Sequence, residues 1–482
     1  MERLALSYLK EWNSKPKRKP LMVYGARQVG KTYLIRDIFA ETYYKNNYIY
    51  INLKFADDIR DFINGEGDYK QPTSNAKTIM DYISLRENRI IDENTLLILD
   101  EIQEAMPAVT SLKDFKENYP HIHVIASGSL VRIKIKRASK KNKGKFFYPV
   151  GSVDEFTLFP MNFEEFLINS NRMLYDKIVK SYNNRVPLDT FTHNLAMEQL
   201  KNYLLVGSLP ENIDIFLQSK SHVLSRKNLT TIYNDYLNDI DLYDVNKETS
   251  LRTRKLFDNI YVEINRPHAD FKPSIIDEGA KTRDYINSME LLQLAGVVYI
   301  NKCLKEHITL PLREDKGSNY RIYFMDNGFL AYQSGINMTD FVKPVNTNMG
   351  VFFENYIACE LASNNINLFY WKGKNDYEFE FITKINNELV PIDVKKKRGI
   401  LGSAENFKNH NSCKLFVKVS ENNYGYDEVN KILTIPLYSF FVFVKELDND
   451  LKFWLAHSHG IKQVQMLQLV LEHFLLVWSL QL

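Results

Sequence analysis

The chain has 482 residues, 45% hydrophobic and 25% charged, which describes a soluble globular protein too long for one ordinary domain; roughly three are expected. Its net charge of +3 is too small to argue for a nucleic-acid partner, so local clusters must carry that case. Cys303, Cys359 and Cys413 are scattered and odd in number, which speaks against a disulfide framework or a zinc site and for reduced thiols in a cytoplasm.

The opening segment, MERLALSYLKEW, places Leu4, Tyr8 and Trp12 near helical spacing and interrupts them with charge. It reads as a short amphipathic helix that packs on the core and is too polar for a signal peptide. An apolar strand, Leu21–Tyr24, then runs into Gly25, Ala26, Arg27, Gln28, Val29, Gly30, Lys31 and Thr32, a complete G-x-x-x-x-G-K-[ST] phosphate loop. Gly25 and Gly30 let backbone N–H groups curl around phosphates, Lys31 reaches the β and γ phosphates, and Thr32 reaches Mg²⁺. The helix opening at Lys31 adds a positive dipole end.

Asn47 to Leu53 is the next strand. Thr95 to Leu99 is a continuous apolar run, as expected of a parallel strand buried on both faces, and it ends in Asp100 and Glu101. Asp100 is expected to hold Mg²⁺ and Glu101 to polarise the attacking water. A further strand, His123–Ala126, stops at Ser127, placed to sense the γ phosphate, with Ser129 as the second choice and an ordinary Ser-Gly turn as the alternative. Strand and helix alternate up to Ser129, which implies an α/β fold with a parallel sheet wound on both sides.

The segments GARQVGKT, LLILDEIQ and IASGSL, with Gln103 and Pro107, resemble AAA-type ATPases of bacteria and archaea that carry a C-terminal domain of uncharacterised function. The resemblance extends to about residue 445. It implies ATP and Mg²⁺ as cofactors and a homo-oligomer in which a neighbour supplies an arginine finger. No N-K-x-D guanine signature occurs, which disfavours GTP. The AAA-type domain is expected over residues 1–167. Within it, Arg132 to Lys145 reads as a solvated basic loop; contact with nucleic-acid phosphates, or an arginine finger from Arg132 or Arg137, are the alternatives.

Residues 168–335 read as a helical and winged-helix region. Val206 to Glu211 resembles a turn of the family, and Ser274 to Cys303 has the order helix, turn, helix, strand. Lys281, Arg283 and Lys302 are placed to lie against a DNA backbone, with protein contacts as the equal alternative.

Over residues 340–447, a helix opens near Gly350 and carries Glu354, Tyr377–Ile382 alternates like a strand, and Leu389–Lys397 forms another. A period of two puts Asp393 and Lys395 on one strand face and Glu378 with Glu380 on the other strand. This layout resembles the PD-(D/E)xK nuclease core. The resemblance implies Glu380 and Asp393 as metal ligands, Glu354 in support and Lys395 as the catalytic lysine. The longer and shorter acids are exchanged relative to the usual pattern, and Mg²⁺ tolerates little geometric error, so a binding domain without cleavage is the favoured reading.

Residues 448–482 form a tail whose apolar stretch, Val464 to Leu482, is broken by Glu472 and His473. It reads as a helix packed on protein, with no clear membrane partner. The leading expectation is a cytoplasmic ATPase acting as a nucleotide-driven switch on a macromolecule, nucleic acid first. The rivals are a nucleotide-gated protein-interaction module and an ATP-controlled, metal-dependent DNase.

Overall fold

The structure, a computed structural model, describes residues 1–141, 148–243, 246–266, 269–314, 319–342, 348–373, 377–385, 387–394 and 401–447. Lys395 and the tail 448–482, with its apolar stretch, lie outside the described residues.

The N-terminal sheet has five strands, all parallel, in the order β2-β3-β4-β1-β5. They are β1 Leu21–Tyr24, β2 Tyr48–Asn52, β3 Leu96–Asp100, β4 His123–Ser127 and β5 Asp154–Thr157. Alternate residues feed opposite cores. Leu21, Val23, Leu96, Ile98 and Ile125 join one; Met22, Tyr24, Leu97, Leu99, Val124 and Ala126 join the other. Burial on both faces is why these strands read as unbroken apolar runs. The strand β5 escaped the sequence reading because its Asp154 and Glu155 sit at the sheet edge beside β1, where no apolar pattern is required.

Helices cover both faces. Asp57–Asn64, Ala76–Glu87 and Met106–Asn118 close the second core through Ile59, Ile79 and Leu112. The helix Ala76–Glu87 starts where Asn75 accepts the Thr78 N–H at 2.9 Å and stops at Asn88, which takes the left-handed conformation. The N-terminal helix Leu6–Ser14 buries Leu9 and Trp12 beside Phe39 in the first core. Fully burying side chains of this size contributes about 2–3 kcal/mol each.

The basic stretch after β4 is helical over Val131–Lys141, where a loop was expected; residues 142–145 of that stretch lie outside the described residues. Val131 and Ile133 are buried and anchor the helix, while Lys136 pairs with Glu290.

The middle of the chain is helical over Arg172–Asn183, Thr190–Val206, Pro210–Ser219, His222–Tyr243 and Lys247–Asp258. The helix Thr282–Leu294 then precedes an antiparallel hairpin of β6 Val298–Cys303 and β7 Tyr320–Phe324. Where the first helix of the order expected over Ser274–Cys303 would stand there is only a short turn, Pro273–Ile275, followed by Gly279 at φ +76°, a left-handed conformation that a continuing helix does not take. Lys247–Asp258 is the helix that packs on Thr282–Leu294.

The remaining strands are β8 Phe369–Lys372, β9 Glu378–Phe379, β10 Phe381–Ile385, β11 Glu388–Val394, β12 Phe416–Ser420, β13 Gly425–Asp427 and β14 Ile432–Pro436. They form a sheet in the order β10-β11-β12-β14-β13 and, with the hairpin, another in the order β7-β6-β8-β9. Thus β6 pairs in parallel with β8, across the boundary expected near 335–340. The strand expected over Tyr377–Ile382 is interrupted at Glu380, where the chain passes from β9 in one sheet to β10 in the other.

Two buried carboxylates tie these parts together. Asp326, at the end of β7, accepts the Ser208 hydroxyl at 2.5 Å, the Ser208 N–H, and the Phe329 N–H at 2.8 Å, capping the helix Asn327–Ser334. Gly207, at φ +86°, is required there, because a Cβ would fall 2.7 Å from that carboxylate. Glu360, on the helix Met349–Ser363, accepts the Phe163 N–H at 3.1 Å, and burial pushes its carboxyl up to about 8.

The folded chain therefore keeps a proton on Glu360 that the unfolded chain releases above its ordinary value of 4.5, and stability falls as pH rises from there to about 8. Glu360→Gln is expected to gain about 1–3 kcal/mol over wild type at pH 8 and little at pH 5, read from denaturant midpoints. A difference that stays constant across that range would refute the assignment. Among the described residues, no helix is long and apolar enough to cross a membrane.

Candidate functional site

The strand β1 delivers the chain into the loop Gly25–Thr32, and the helix Tyr33–Ala40 carries it away. The turn is tight. Gly25 lies at φ +151° and a Cβ there would meet the Leu158 carbonyl at 2.4 Å; Gly30 lies at φ +87°. Gln28 takes φ +58° without being glycine, a strained position of the kind that gathers at functional loops. Inside the loop the Lys31 ammonium donates to the carbonyls of Gly25 at 3.0 Å and Ala26 at 2.8 Å. Burial lowers Lys31 to about 8; Glu101 and Asp100 act in the opposite sense and Arg27 reinforces the fall.

Asp100, at the end of β3, is 2% exposed and is the hub of the site. One carboxylate oxygen accepts the hydroxyls of Thr32 and Tyr50, each at 2.8 Å. The other accepts the Ser127 hydroxyl at 2.5 Å and the Glu101 N–H at 3.0 Å. Adjacent strands explain this convergence, since β3 lies between β2 and β4 and all three end at the same edge. Ser127 is fully buried against Asp100, so its hydroxyl orients that carboxylate. Ser129 lies farther on, in the lining of a 340 Å³ cleft between the sheet, the end of the helix Thr282–Leu294 with Ala295 and Gly296, and residues 365–368.

Glu101 stands at φ +51°, which turns the chain away from the strand and lifts its side chain out of the core. The Gln103 amide donates to its carboxylate. Gly128 is what makes room for Gln103, since a Cβ there would fall 2.0 Å from the Gln103 amide oxygen. The Thr32 hydroxyl and Asp100 carboxylate, 2.8 Å apart, form a hard oxygen donor pair of the type that suits Mg²⁺.

Other elements close around the loop. Arg3 is 5% exposed and donates to Val29 O at 2.8 Å, Phe159 O at 2.8 Å and Glu165 at 3.0 Å, so the N-terminal segment fixes the loop's far end. Tyr50 and Arg3 carry no motif, and sequence reasoning missed them; Gln103 stands in the sequence only among the residues of the family resemblance. Arg27 pairs with Asp239 and Gln28 donates to Asp235 at 3.3 Å, both on the helix His222–Tyr243. Arg132 is held within its own chain: it stacks on Tyr24, 4.3 Å from the ring centroid, and donates to Thr157 at 2.8 Å.

A second cluster lies in the C-terminal part. The β10–β11 ladder ends at Phe381 opposite Ile392, and Glu380 and Asp393 are the residues just beyond that pair. Both are buried, and Glu380 accepts the Val394 N–H at 3.0 Å. Glu354 accepts the Tyr323 hydroxyl at 3.4 Å. Arg321, 1% exposed, reaches Glu378 at 2.5 Å and stacks on Tyr370 at 4.3 Å. Burial works against its charge, but Tyr323, Glu378, Glu354 and Glu380 hold the guanidinium charged. Among the described residues, no group of three or more His, Cys, Asp or Glu side chains is arranged to hold a metal ion.

Residues 17–167 match the family model of an AAA domain. Residues 197–340 match a domain of unknown function, DUF8612, and residues 349–438 match another, DUF4143. The chain thus carries an AAA-type ATPase domain at its N-terminal end and a DUF4143 domain toward its C-terminal end. No curated protein matches the chain. Among solved structures, the Walker-type ATPase PABY2304 of Pyrococcus abyssi is similar over 69% of this chain and 95% of that one, at 14% identity and a TM-score of 0.42.

Proposed function

We propose that the chain binds ATP at Gly25–Thr32 and hydrolyses it, and that the cycle switches the arrangement of its middle and C-terminal parts on a macromolecule. The observation that carries the reading is the junction at Asp100, where Thr32, Tyr50 and Ser127 meet one carboxylate at the mouth of the phosphate loop. The backbone N–H groups of residues 25–32 and Lys31 bind the phosphates, and Thr32 and Asp100 hold Mg²⁺, which neutralises charge on the phosphate oxygens when bound. Glu101 takes the proton of the attacking water, with Gln103 orienting it. Ser127 keeps Asp100 aimed at the site.

Nucleic acid is the macromolecule we favour. Lys281 and Arg283 are exposed at the start of Thr282–Leu294, the helix that precedes the β6/β7 hairpin in the order of a winged helix. Lys302 adds less, since it pairs with Glu314 at 2.9 Å. Duplex DNA is expected to raise ATP turnover of the full chain, with a stimulation that weakens as salt rises. Turnover indifferent to DNA at low salt would favour a protein-binding switch.

A second reading concerns the C-terminal part, where Glu380 and Asp393, both next to the Phe381–Ile392 pair at the end of the β10–β11 ladder, support a nuclease-like core. Plasmid nicking with Mn²⁺ that vanishes in Asp393→Asn would establish a DNase; no nicking leaves a binding domain. We also place the protein in the cytoplasm as a homo-oligomer. Arg132 would have to leave Thr157 and Tyr24 of its own chain to serve as the arginine finger of such an assembly.

A further inference from the structure

The phosphate-loop chemistry leaves the side chains of Arg27 and Gln28 without a task, and both are held by one helix. Asp235, Tyr236 and Asp239 of His222–Tyr243 share a face at i, i+1 and i+4. Asp239 pairs with the Arg27 guanidinium, Tyr236 donates to the Arg27 carbonyl at 2.5 Å, and Asp235 accepts from Gln28 at 3.3 Å. Asp239 is only 7% exposed, so its charge is poorly screened by solvent. A loop built to receive a polyanion is therefore bound on one side by two carboxylates. Arg27 lies four residues before Lys31 in the same loop, and its charge adds to the lowering of the Lys31 ammonium.

We propose that the helix His222–Tyr243 is a carboxylate clamp that ATP displaces: Arg27 exchanges Asp239 for the phosphates, and the helix loosens from the loop. This rests on the nucleotide reading above and adds how binding reaches the rest of the chain. The phosphates supply a stronger, multiply charged partner for Arg27, while they repel Asp235 and Asp239. The opposite end of the helix is tied to the next element. Arg226 donates to the carbonyls of Ala331 and Tyr332, both at 3.0 Å, at the end of the helix Asn327–Ser334. Tyr236 packs on Phe329 of the same helix at 5.2 Å. A shift of the clamp helix therefore reaches Asp326 and the end of β7 through packed side chains.

The test is equilibrium binding of ATP with Mg²⁺ to the full chain, paired with hydrogen exchange. Asp239→Asn is expected to tighten ATP binding about tenfold, within the usual range of coupling between sites. The same substitution made in Arg27→Gln should change affinity little, because the competition acts through Arg27. A merely structural Asp239 would give equal or weaker binding in both backgrounds. In the wild type, saturating ATP should speed exchange of amides in the helix 222–243, a readout that needs no variant to fold. ATP binding in the wild type with unchanged or weaker affinity in a folded Asp239→Asn, or exchange in that helix unchanged or slowed by ATP, overturns the clamp alone. Failure of the wild type to bind ATP overturns the nucleotide reading and the clamp with it.

Discussion

Glu101→Gln is expected to bind ATP as tightly as wild type and to lose turnover by about a hundredfold or more, the usual cost of removing a general base. The amide keeps the shape of the side chain, and the strained backbone at φ +51° and the neighbouring Gln103 still position it. Only the capacity to accept a proton is removed. Asp100→Asn should behave differently, because Thr32, Tyr50 and Ser127 all donate to that carboxylate. An amide there turns one acceptor into a donor against a hydroxyl, so Mg²⁺-dependent binding should weaken as well. Phosphate release and equilibrium binding on both variants check the pair. Wild-type turnover in Glu101→Gln would mean that another group activates the water.

Asp326→Ala is expected to lower stability by about 3–5 kcal/mol, because it strands three buried donors at about 1–3 kcal/mol each. Ser208 loses partners for both its hydroxyl and its N–H, and the helix Asn327–Ser334 loses its cap. Asp326→Asn should fall between the two, since one oxygen acceptor remains. The carboxyl already stands above its ordinary value through burial, against the hydrogen bonds from Ser208, Phe329 and Gly328 that lower it. Urea midpoints measure the loss. A midpoint unchanged in Asp326→Ala would show that the junction between residues 207–208 and 326–328 carries no weight.

The loop Gly25–Thr32 and its junction with Asp100 are legible in the sequence because their parts are short, consecutive and bound to one geometry. Gly25, Gly30, Lys31 and Thr32 lie within one turn, and Asp100 and Glu101 close a strand whose burial on both faces leaves an unbroken apolar run. What escaped is set by contacts between distant residues. Arg3 meets Glu165 across 162 positions, and Ser208 meets Asp326 across 118, and neither carries a local pattern. The edge strand β5 gave no periodic signal. The break at Glu380 was hidden for another reason: alternation of side chains is the same whether a chain continues in one sheet or passes to the next. In the sequence Arg27 and Gln28 are simply part of the loop, while the helix that holds them lies about 200 residues on, as the separation of 212 between Arg27 and Asp239 shows.

Phosphate release from ATP with Mg²⁺ by the purified full chain, measured beside Lys31→Ala, tests the central claim most directly. The account predicts saturable release by wild type that disappears in Lys31→Ala together with ATP binding, because Lys31 is the ammonium that the loop Gly25–Thr32 holds for the β and γ phosphates. Wild-type protein that is folded yet releases phosphate no faster than Lys31→Ala at saturating ATP would contradict it.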